Sequence, residues 1–456
     1  MNYLIYGLGI SGISAAKYLS KAHQVTLTDD NPQITQSPLK DFNKEITFKK
    51  FSDIDFSQIN KVIIAPGIPL YFPQKHPILE KQKQYNFELI CDIEDFYRIN
   101  QNNTFIGITG TNGKSTSTAL CNHIFTDLNL NSQMGGNIGT PAFDLTNETN
   151  NNYIFELSSY QLDLVDKVHL DIACLLNITP DHIDRHGSFE NYKKTKAAIF
   201  NNQSINDYAI INIDDQNTQS IFSALQDGAA QKIITLSIFS KQENGLSYIG
   251  DKISINTDFL KTDLELDHKY LKGDHNKQNI LASLAMTLCH LNKENLEINL
   301  DKIIDSISNF KGLKHRQEFV RSIENINFIN DSKATNCDST KTALHSYENI
   351  FLILGGKEKD GISDIIDELK KVKRIYLIGE SSENFAEILL KNSIDFVKDK
   401  ELNVAIKNAY FDAKKLNNSG TVNIILSPAC SSFDQFQNFE KRGEYFCKIV
   451  NELQKS

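Results

Sequence analysis

Short apolar runs alternate with amphipathic stretches along most of the chain, the pattern expected of strands and helices in turn and hence of parallel α/β sheets. The first run, Asn2 to Tyr6, is predicted as a strand and leads at once into GLGISG, residues 7–12. A helix is predicted from Ile13 to Leu19 and a second strand from Gln24 to Thr28, ending at Asp29 and Asp30. Lys61 to Ala65 is a later strand that stops at Pro66-Gly67. The polar segment Tyr97 to Thr104 reads as a linker. Phe105, Ile106, Ile108 and Thr109 then carry the chain into GITGTNGKST, residues 107–116, and a helix-like run extends from Ser115 to about Leu130.

Further along, MGGNIGT (134–140) predicts a turn, and Tyr153 to Leu157 and Ala173 to Ile178 predict strands. Phe189 to Phe200 is predicted as a helix, and residues 201–270 read as β-rich and irregular. Gly273 to Met286 is a glycine turn into a helix whose first turns carry His275, Asn276 and Asn279, either as a capping cluster or as ligands. Asn349 to Leu354, Arg374 to Ile378 and Val422 to Leu426 are the strands of a last α/β region. No repeat of solenoid period is visible.

Composition narrows the class. A chain of 456 residues suggests roughly three domains. The hydrophobic fraction of 40% and charged fraction of 23% are those of a globular protein. A net charge of −9 with no basic run argues against a nucleic-acid partner. No apolar run reaches membrane-spanning length and no signal peptide opens the chain, so a cytoplasmic location is expected. Seven cysteines without a CxxC pair point to reduced thiols and away from a zinc site.

The densest chemistry lies in Gly110, Thr111, Asn112, Gly113, Lys114, Ser115 and Thr116. A strand, a glycine turn and a helix N-terminus make a phosphate site, because backbone N–H groups and the helix dipole both face the anion. Lys114 adds a full positive charge, and Ser115 offers a hydroxyl to magnesium. The strict spacing GxxxxGK[ST] would place its first glycine at 108, which is Ile108, so this is a variant loop. Glu156, an acid at the end of a buried strand downstream, suits a magnesium ligand or a surface carboxylate. Asp181, His182, Asp184 and His186 follow the next strand; each alone also fits a surface or capping role. GLGISG after a strand, with an acid about 20 residues on, signals a nucleotide or diphosphate site, unless its glycines serve only helix–strand packing.

Taken together, GTNGKST, ELSSYQL, NITPDHIDRH, GDHN, GLKHRQE, NDSKATN and SPACSSFDQFQNFEKRG resemble the Mur ligases, the ATP-dependent amide-forming enzymes of peptidoglycan precursor synthesis. GLGISG at the start with NDSKATN and SPAC near the end is similar to the branch of that family that adds D-glutamate to UDP-N-acetylmuramoyl-L-alanine. The resemblance implies three α/β domains. Residues 1–93 would be a Rossmann-like UDP-sugar domain, 94–306 a P-loop-type mononucleotide-binding ATPase domain, and 307–456 a Rossmann-like amino-acid domain. It further implies a monomer that uses ATP and two magnesium ions.

Carried onto this chain, the resemblance puts Gly9, Ser11, Asp29, Gly67 and Asn137 at the UDP-sugar. The phosphate loop, Asn279, Arg316, Asp331 and Lys333 would meet ATP, and Thr335, Lys359, Ser432 and Phe439 would meet D-glutamate. Lys114, Glu156, His182 and Lys196 would be catalytic. Ser115, Glu156, His182 and Lys196, the last as a CO₂-derived carbamate, would hold metal. GGKEKDG carries lysines at both 357 and 359, leaving open which one meets the amino acid.

Three other readings compete with this one. A nicotinamide-dependent dehydrogenase would explain about the first 30 residues and leave the phosphate loop unused. Another amide ligase of the same superfamily, such as a folate polyglutamate synthase, is disfavoured by the N-terminal GxGxxG and by SPACSSFDQF. A nucleotide-gated binding module without turnover is disfavoured by Glu156, His182 and Lys196 together.

Overall fold

A computed structural model describes residues 1–31, 46–146, 148–228, 230–267, 270–358, 361–415 and 420–453. The predicted alternation resolves into three sheets. In the first, five parallel strands are arranged with Asn2–Tyr6 between Gln24–Thr28 and Lys61–Ile64, and Ile46–Phe48 and Glu88–Ile90 at the edges. Chain order reverses at Asn2–Tyr6, so the loops leaving Tyr6 and Ile64 part there and open a crevice at the strands' carboxyl ends. The following helix starts at Ile10, three residues before the predicted Ile13, so GLGISG passes from loop to helix inside the motif. A Cβ on Gly12 would run into the Gly7 carbonyl oxygen, which is why the first helical turn can lie so close to the strand end.

The second sheet has nine strands. Thr104–Thr109 sits between the parallel strands Asn152–Glu156 and Ile172–Leu175, so the chain leaves all three toward one edge. The segment predicted as a turn at 134–140 starts instead as the edge strand Ser132–Gly136, paired in parallel with Asn152–Glu156. On the other side Tyr208–Asn212, Lys232–Ser237 and Gly245–Ile249 continue in parallel, and Lys252–Asn256 and Lys261–Glu265 close the sheet antiparallel. The stretch 201–270 is therefore more regular than its sequence suggests, and it includes a helix, Gln216–Gly228. Ile221, Phe222 and Leu225 recur at helical spacing and pack on the core, a period hidden among Gln, Asn and Ser.

The third sheet pairs Glu318–Ile323 antiparallel with Ile326–Asn330, followed in parallel by Val422–Leu426, Ile350–Gly355, Arg374–Ile378 and Phe396–Lys400.

Met1–Asp267 with His275–Ile307 form one compact unit and the remainder a second. The first two sheets share one core within the first unit. Phe96 is the joint, meeting Phe105, Phe143, Tyr153 and Phe155 edge-on. It belongs to the helix Asp92–Ile99, so the polar stretch from Tyr97 begins as that helix's last turn and not as a free linker.

The helix Asp274–Lys293 is buried along most of its length. Near its end His290 is 2% exposed, packs at a tilt against Phe125 with ring centroids 4.8 Å apart, and has no partner for Nδ1. Burial pushes its pKa from the usual 6.5 down to about 4. The neutral ring is thus favoured in the fold, and the stability it contributes is present above pH 6.5 and lost as pH falls toward 4. His290→Leu should therefore lose less stability than the parent between pH 7.5 and pH 4.5, by up to about 3 kcal/mol in denaturant unfolding. Identical pH slopes for the two proteins would contradict this.

Candidate active site

The phosphate loop is held open by bonds to its neighbours. Thr111 N–H donates to the Asn177 carbonyl at 2.9 Å, and Asn112 N–H to Asn177 Oδ1 at 2.8 Å. Thr111 Oγ1 lies 3.0 Å from the hydroxyl of Tyr192. Gly113 (φ +84°) caps the helix Lys114–Asp127, and a Cβ there would collide with Asn279 Oδ1. Asn279 is itself buried: its Nδ2 donates to Asn276 Oδ1 at 3.0 Å and its Oδ1 accepts from Ser117 Oγ at 3.1 Å. The structure thus sets Asn279 directly behind the loop.

Two lysines converge on one carbonyl. Lys114 Nζ donates to the oxygens of Gly110 and Thr111, both at 2.8 Å. Lys196 Nζ donates to the same Gly110 oxygen at 2.8 Å. Lys196 is 1% exposed, and its nitrogen lies 4.9 Å from the centroid of the Tyr192 ring, one turn back on its own helix, Phe189–Ala197. Burial holds its pKa well below the ordinary lysine value, the positive charge of Lys114 adds to that, and Asp181 and Glu156 oppose it. The shift favours the neutral amine, the form whose lone pair is available.

Glu156 completes this corner. It is 2% exposed; Oε1 accepts from Asn137 Nδ2 at 2.7 Å, while Oε2 is buried with no partner. A desolvated carboxylate oxygen without a donor is costly, and a magnesium ion would satisfy it. The buried carboxylate of Glu156 and the buried hydroxyl of Ser115 are the oxygen donors a hard cation takes. His182 caps the short helix Ile183–His186 in the left-handed region (φ +51°), with its ring 5.0 Å from that of Tyr160. His186, which stands behind it, is bonded to Ser159 Oγ at 3.0 Å, and burial pushes its pKa down to about 4. Asn137, read from sequence as a UDP-sugar contact, is drawn into the corner by its bond to Glu156.

In the first sheet's crevice, Gly9 and Gly67 are exposed, with open space where a Cβ would stand. Ser11 is half-buried on the first turn of the helix. Asp29 accepts from Leu8 N–H at 2.6 Å and from Asn31 N–H at 2.8 Å, so it shapes the GLGISG loop from below.

In the second unit, the loops after Asn330, Leu426 and Gly355 lie side by side. Asp331 is buried; it accepts from Ser427 Oγ at 2.8 Å and from Gln317 N–H at 3.1 Å, and burial pushes its pKa up to about 7. Lys333 Nζ lies 5.0 Å from the ring centroid of Phe439, so a residue assigned to ATP and one assigned to D-glutamate are neighbours. Ser432 is 2% exposed with a buried Oγ that lacks a partner, and Thr335 is half-buried in the neighbouring loop. Arg316 follows His315 in a turn where His315 and Gln317 both have positive φ. Lys359 lies outside the described residues. Lys357 is exposed, and its backbone exchanges bonds with that of Ser431.

Sequence reasoning missed Tyr192, Asn177 and Arg442. Arg442 is 1% exposed and donates to Ser332 Oγ at 3.0 Å and to the carbonyl oxygens of Ser332 (2.8 Å), Cys430 (3.0 Å) and Ser431 (3.3 Å), tying two site loops together. The signal was available: Tyr192 stands four residues before Lys196, and Arg442 three after Phe439, on shared helix faces.

A phosphate loop facing a buried carboxylate and a buried lysine defines a magnesium-nucleotide enzyme, and comparison with known proteins gives its family. Residues 1–91 match the family model for the Mur ligase MurD-like N-terminal domain, 108–287 the Mur ligase middle domain, and 315–416 the Mur ligase glutamate ligase domain. The chain belongs to the Mur ligase family. It is 39% identical to the UDP-N-acetylmuramoylalanine–D-glutamate ligase of Rickettsia felis, over 98% of this chain and 96% of that one. Identity to the ligase of the same name from Clostridioides difficile is 36%, over 99% and 98%. Among solved structures, the UDP-N-acetylmuramate-alanine ligase MurC of Thermotoga maritima shares the fold, with a TM-score of 0.57 and 16% identity over 99% of each chain.

Gly113→Ala puts a methyl group both into the left-handed region and onto Asn279. It should destabilise the protein by about 1–3 kcal/mol and weaken ADP binding by at least about tenfold. Unchanged ADP affinity by calorimetry would show that the loop tolerates a side chain there.

Proposed function

We propose that this chain joins D-glutamate to UDP-N-acetylmuramoyl-L-alanine with conversion of ATP to ADP and phosphate, in peptidoglycan precursor synthesis. The observation that carries the reading is the similarity, over 98% of the chain, to relatives bearing that ligase's name. The corner formed by Gly110, Lys114, Glu156 and Lys196 supports it with chemistry.

The substrate carboxylate must meet the γ-phosphate of ATP, and two anions repel, so cations are needed where they approach. ATP and magnesium are the cofactors. Magnesium would screen that charge from positions on Ser115, Glu156 and His182, with two ions in play. Lys114 leaves its loop carbonyls to hold the β- and γ-phosphates. Lys196 carries a carbamate in the working enzyme, because a free ammonium would oppose a metal ion whereas a carbamate presents anionic oxygen to it. A buried neutral amine is the form that reacts with CO₂, with loss of one proton.

Gly9, Ser11, Asp29 and Gly67 cradle the UDP portion, and Asn137 meets the sugar while holding Glu156. Gly110 to Thr116 take the phosphates of ATP. Asn279, Arg316, Asp331 and Lys333 complete the nucleotide site. Thr335, Lys359, Ser432 and Phe439 receive D-glutamate, whose two carboxylates suit a lysine and hydroxyls. The substrate carboxylate attacks the γ-phosphorus and ADP leaves, giving an acyl phosphate; the D-glutamate amine then attacks its carbonyl carbon, loses a proton and expels phosphate. Residues 1–93, 94–306 and 307–456 divide these tasks as three domains. The protein works as a cytoplasmic monomer on small molecules, with no nucleic-acid partner; among the described residues no helix is long and apolar enough to cross a membrane.

Phosphate release from ATP and magnesium should require both UDP-N-acetylmuramoyl-L-alanine and D-glutamate. Release with a different amino acid would keep the family and reject the step; release needing neither would reject the ligase. Glu156→Gln, nearly the same size, should fold normally, raise the magnesium concentration for half-activity and lower kcat by about a hundredfold or more. Full activity at ordinary magnesium would remove Glu156 from the metal site.

A further inference from the structure

The loop after Lys61–Ile64 touches both ends of the reaction path. At one end, Ala65 and Ile68 occupy the space where Gly7, the first residue of GLGISG, would carry a side chain. At the other, the Ile68 carbonyl accepts from Arg185 Nη2 at 3.2 Å, and the Phe72 ring fills the place of a side chain on Gly187. Gly187 (φ +74°) is the elbow between the short helix that His182 caps and the helix that carries Lys196. Arg185 is 93% buried by its 7% exposure, and its guanidinium lies 5.2 Å from the centroid of the Tyr160 ring, which in turn lies 5.0 Å from His182. A cavity of about 330 Å³ opens beside Phe72, lined also by Tyr71, Asp163 and Arg185, whose Nη1 lies 3.9 Å from Asp163 Oδ2.

We propose that Phe72 and Arg185 are positioning residues that transmit occupancy of the UDP-sugar loop to His182 and Lys196. This rests on the ligase reading above. When the diphosphate settles on Gly7–Gly12, the loop Ala65–Ile68 packed on Gly7 loses its freedom to shift. Through the Ile68 carbonyl and the Phe72 ring, the elbow at Gly187 is then fixed. His182 and Lys196 leave that elbow in opposite directions along the chain, and both take their working positions together. Neither Phe72 nor Arg185 needs to touch substrate. The arrangement makes the metal corner complete only when the carboxylate to be activated is present, which limits idle cleavage of ATP.

The test uses the full chain without nucleotide. UDP-N-acetylmuramoyl-L-alanine alone should slow amide hydrogen exchange across residues 182–197 in the parent protein. Phe72→Ala should abolish that slowing while its Kd for the UDP-sugar stays within about threefold. In turnover its kcat should fall about ten- to a hundredfold with KM for the UDP-sugar nearly unchanged, the mark of misplaced groups and not of lost binding. Phe72→Tyr should restore both readouts.

Arg185→Lys is the second arm. It keeps the charge but loses the Nη2 donor to the Ile68 carbonyl, and it should show the same split even if Phe72→Ala folds poorly. Protection of 182–197 that survives in the variants, or UDP-sugar affinity that falls in step with kcat, would overturn the proposal. Absence of D-glutamate-dependent phosphate release in the parent protein would instead overturn the ligase reading, and the exchange measurement separates the two failures.

Discussion

The structure turns on the Gly110 carbonyl oxygen and the two lysine nitrogens it accepts from. Placing two cationic side chains against one buried carbonyl is unfavourable unless one of them gives up its proton or the loop receives an anion. Lys196, sealed between the loop and Tyr192, is the one whose charge the surroundings suppress. Lys114, less buried, is the one that can turn outward toward phosphate. The neighbouring Glu156 oxygen, desolvated and without a donor, is the complementary defect. A nucleotide, a metal ion and an anionic form of Lys196 would satisfy all three groups at once, and no single one of them would.

The sheets exist to hold that corner. Thr104–Thr109 lies between Asn152–Glu156 and Ile172–Leu175, so the phosphate loop, Glu156 and the segment ending in His182 emerge along one edge. The aromatic cluster around Phe96 joins the first sheet to the second, and the loop from Ala65 to Phe72 reaches that edge from the other side. In the second unit the same logic recurs. Ile326–Asn330, Val422–Leu426 and Ile350–Gly355 are neighbours, and the guanidinium of Arg442 locks the loops that follow the first two into one surface. A buried cation bonded to four neutral oxygens is an expensive way to fix two loops. It holds the loop of Ser332 at a fixed distance from that of Cys430 and Ser431.

Much of this was legible in the sequence, for definite reasons. The phosphate loop and the strand ends could be read because glycines, one lysine and β-branched runs each have a single physical use in that order. The strand at Ser132–Gly136 was missed because its glycines look like a turn. It is held by pairing with a buried neighbour that the sequence does not show. The helix Gln216–Gly228 was hidden by polar residues on its wet face. Tyr192 and Arg442 were passed over because each acts through a contact distant in sequence: a threonine hydroxyl 81 positions away for one, and a serine 110 positions away for the other. The shared Gly110 carbonyl could not be read at all, since a lysine's chemistry depends on what surrounds its nitrogen.

The most direct test of this account is the chemical state of Lys196. Protein equilibrated with ¹³C-bicarbonate should show one carbamate carbon resonance by NMR, absent from Lys196→Arg, and the signal should sharpen or shift when magnesium and a nucleotide are added. A plain amine at Lys196 under bicarbonate, in a preparation that is fully active, would contradict the claim that the charge conflict at Gly110 is resolved by making that lysine an anion.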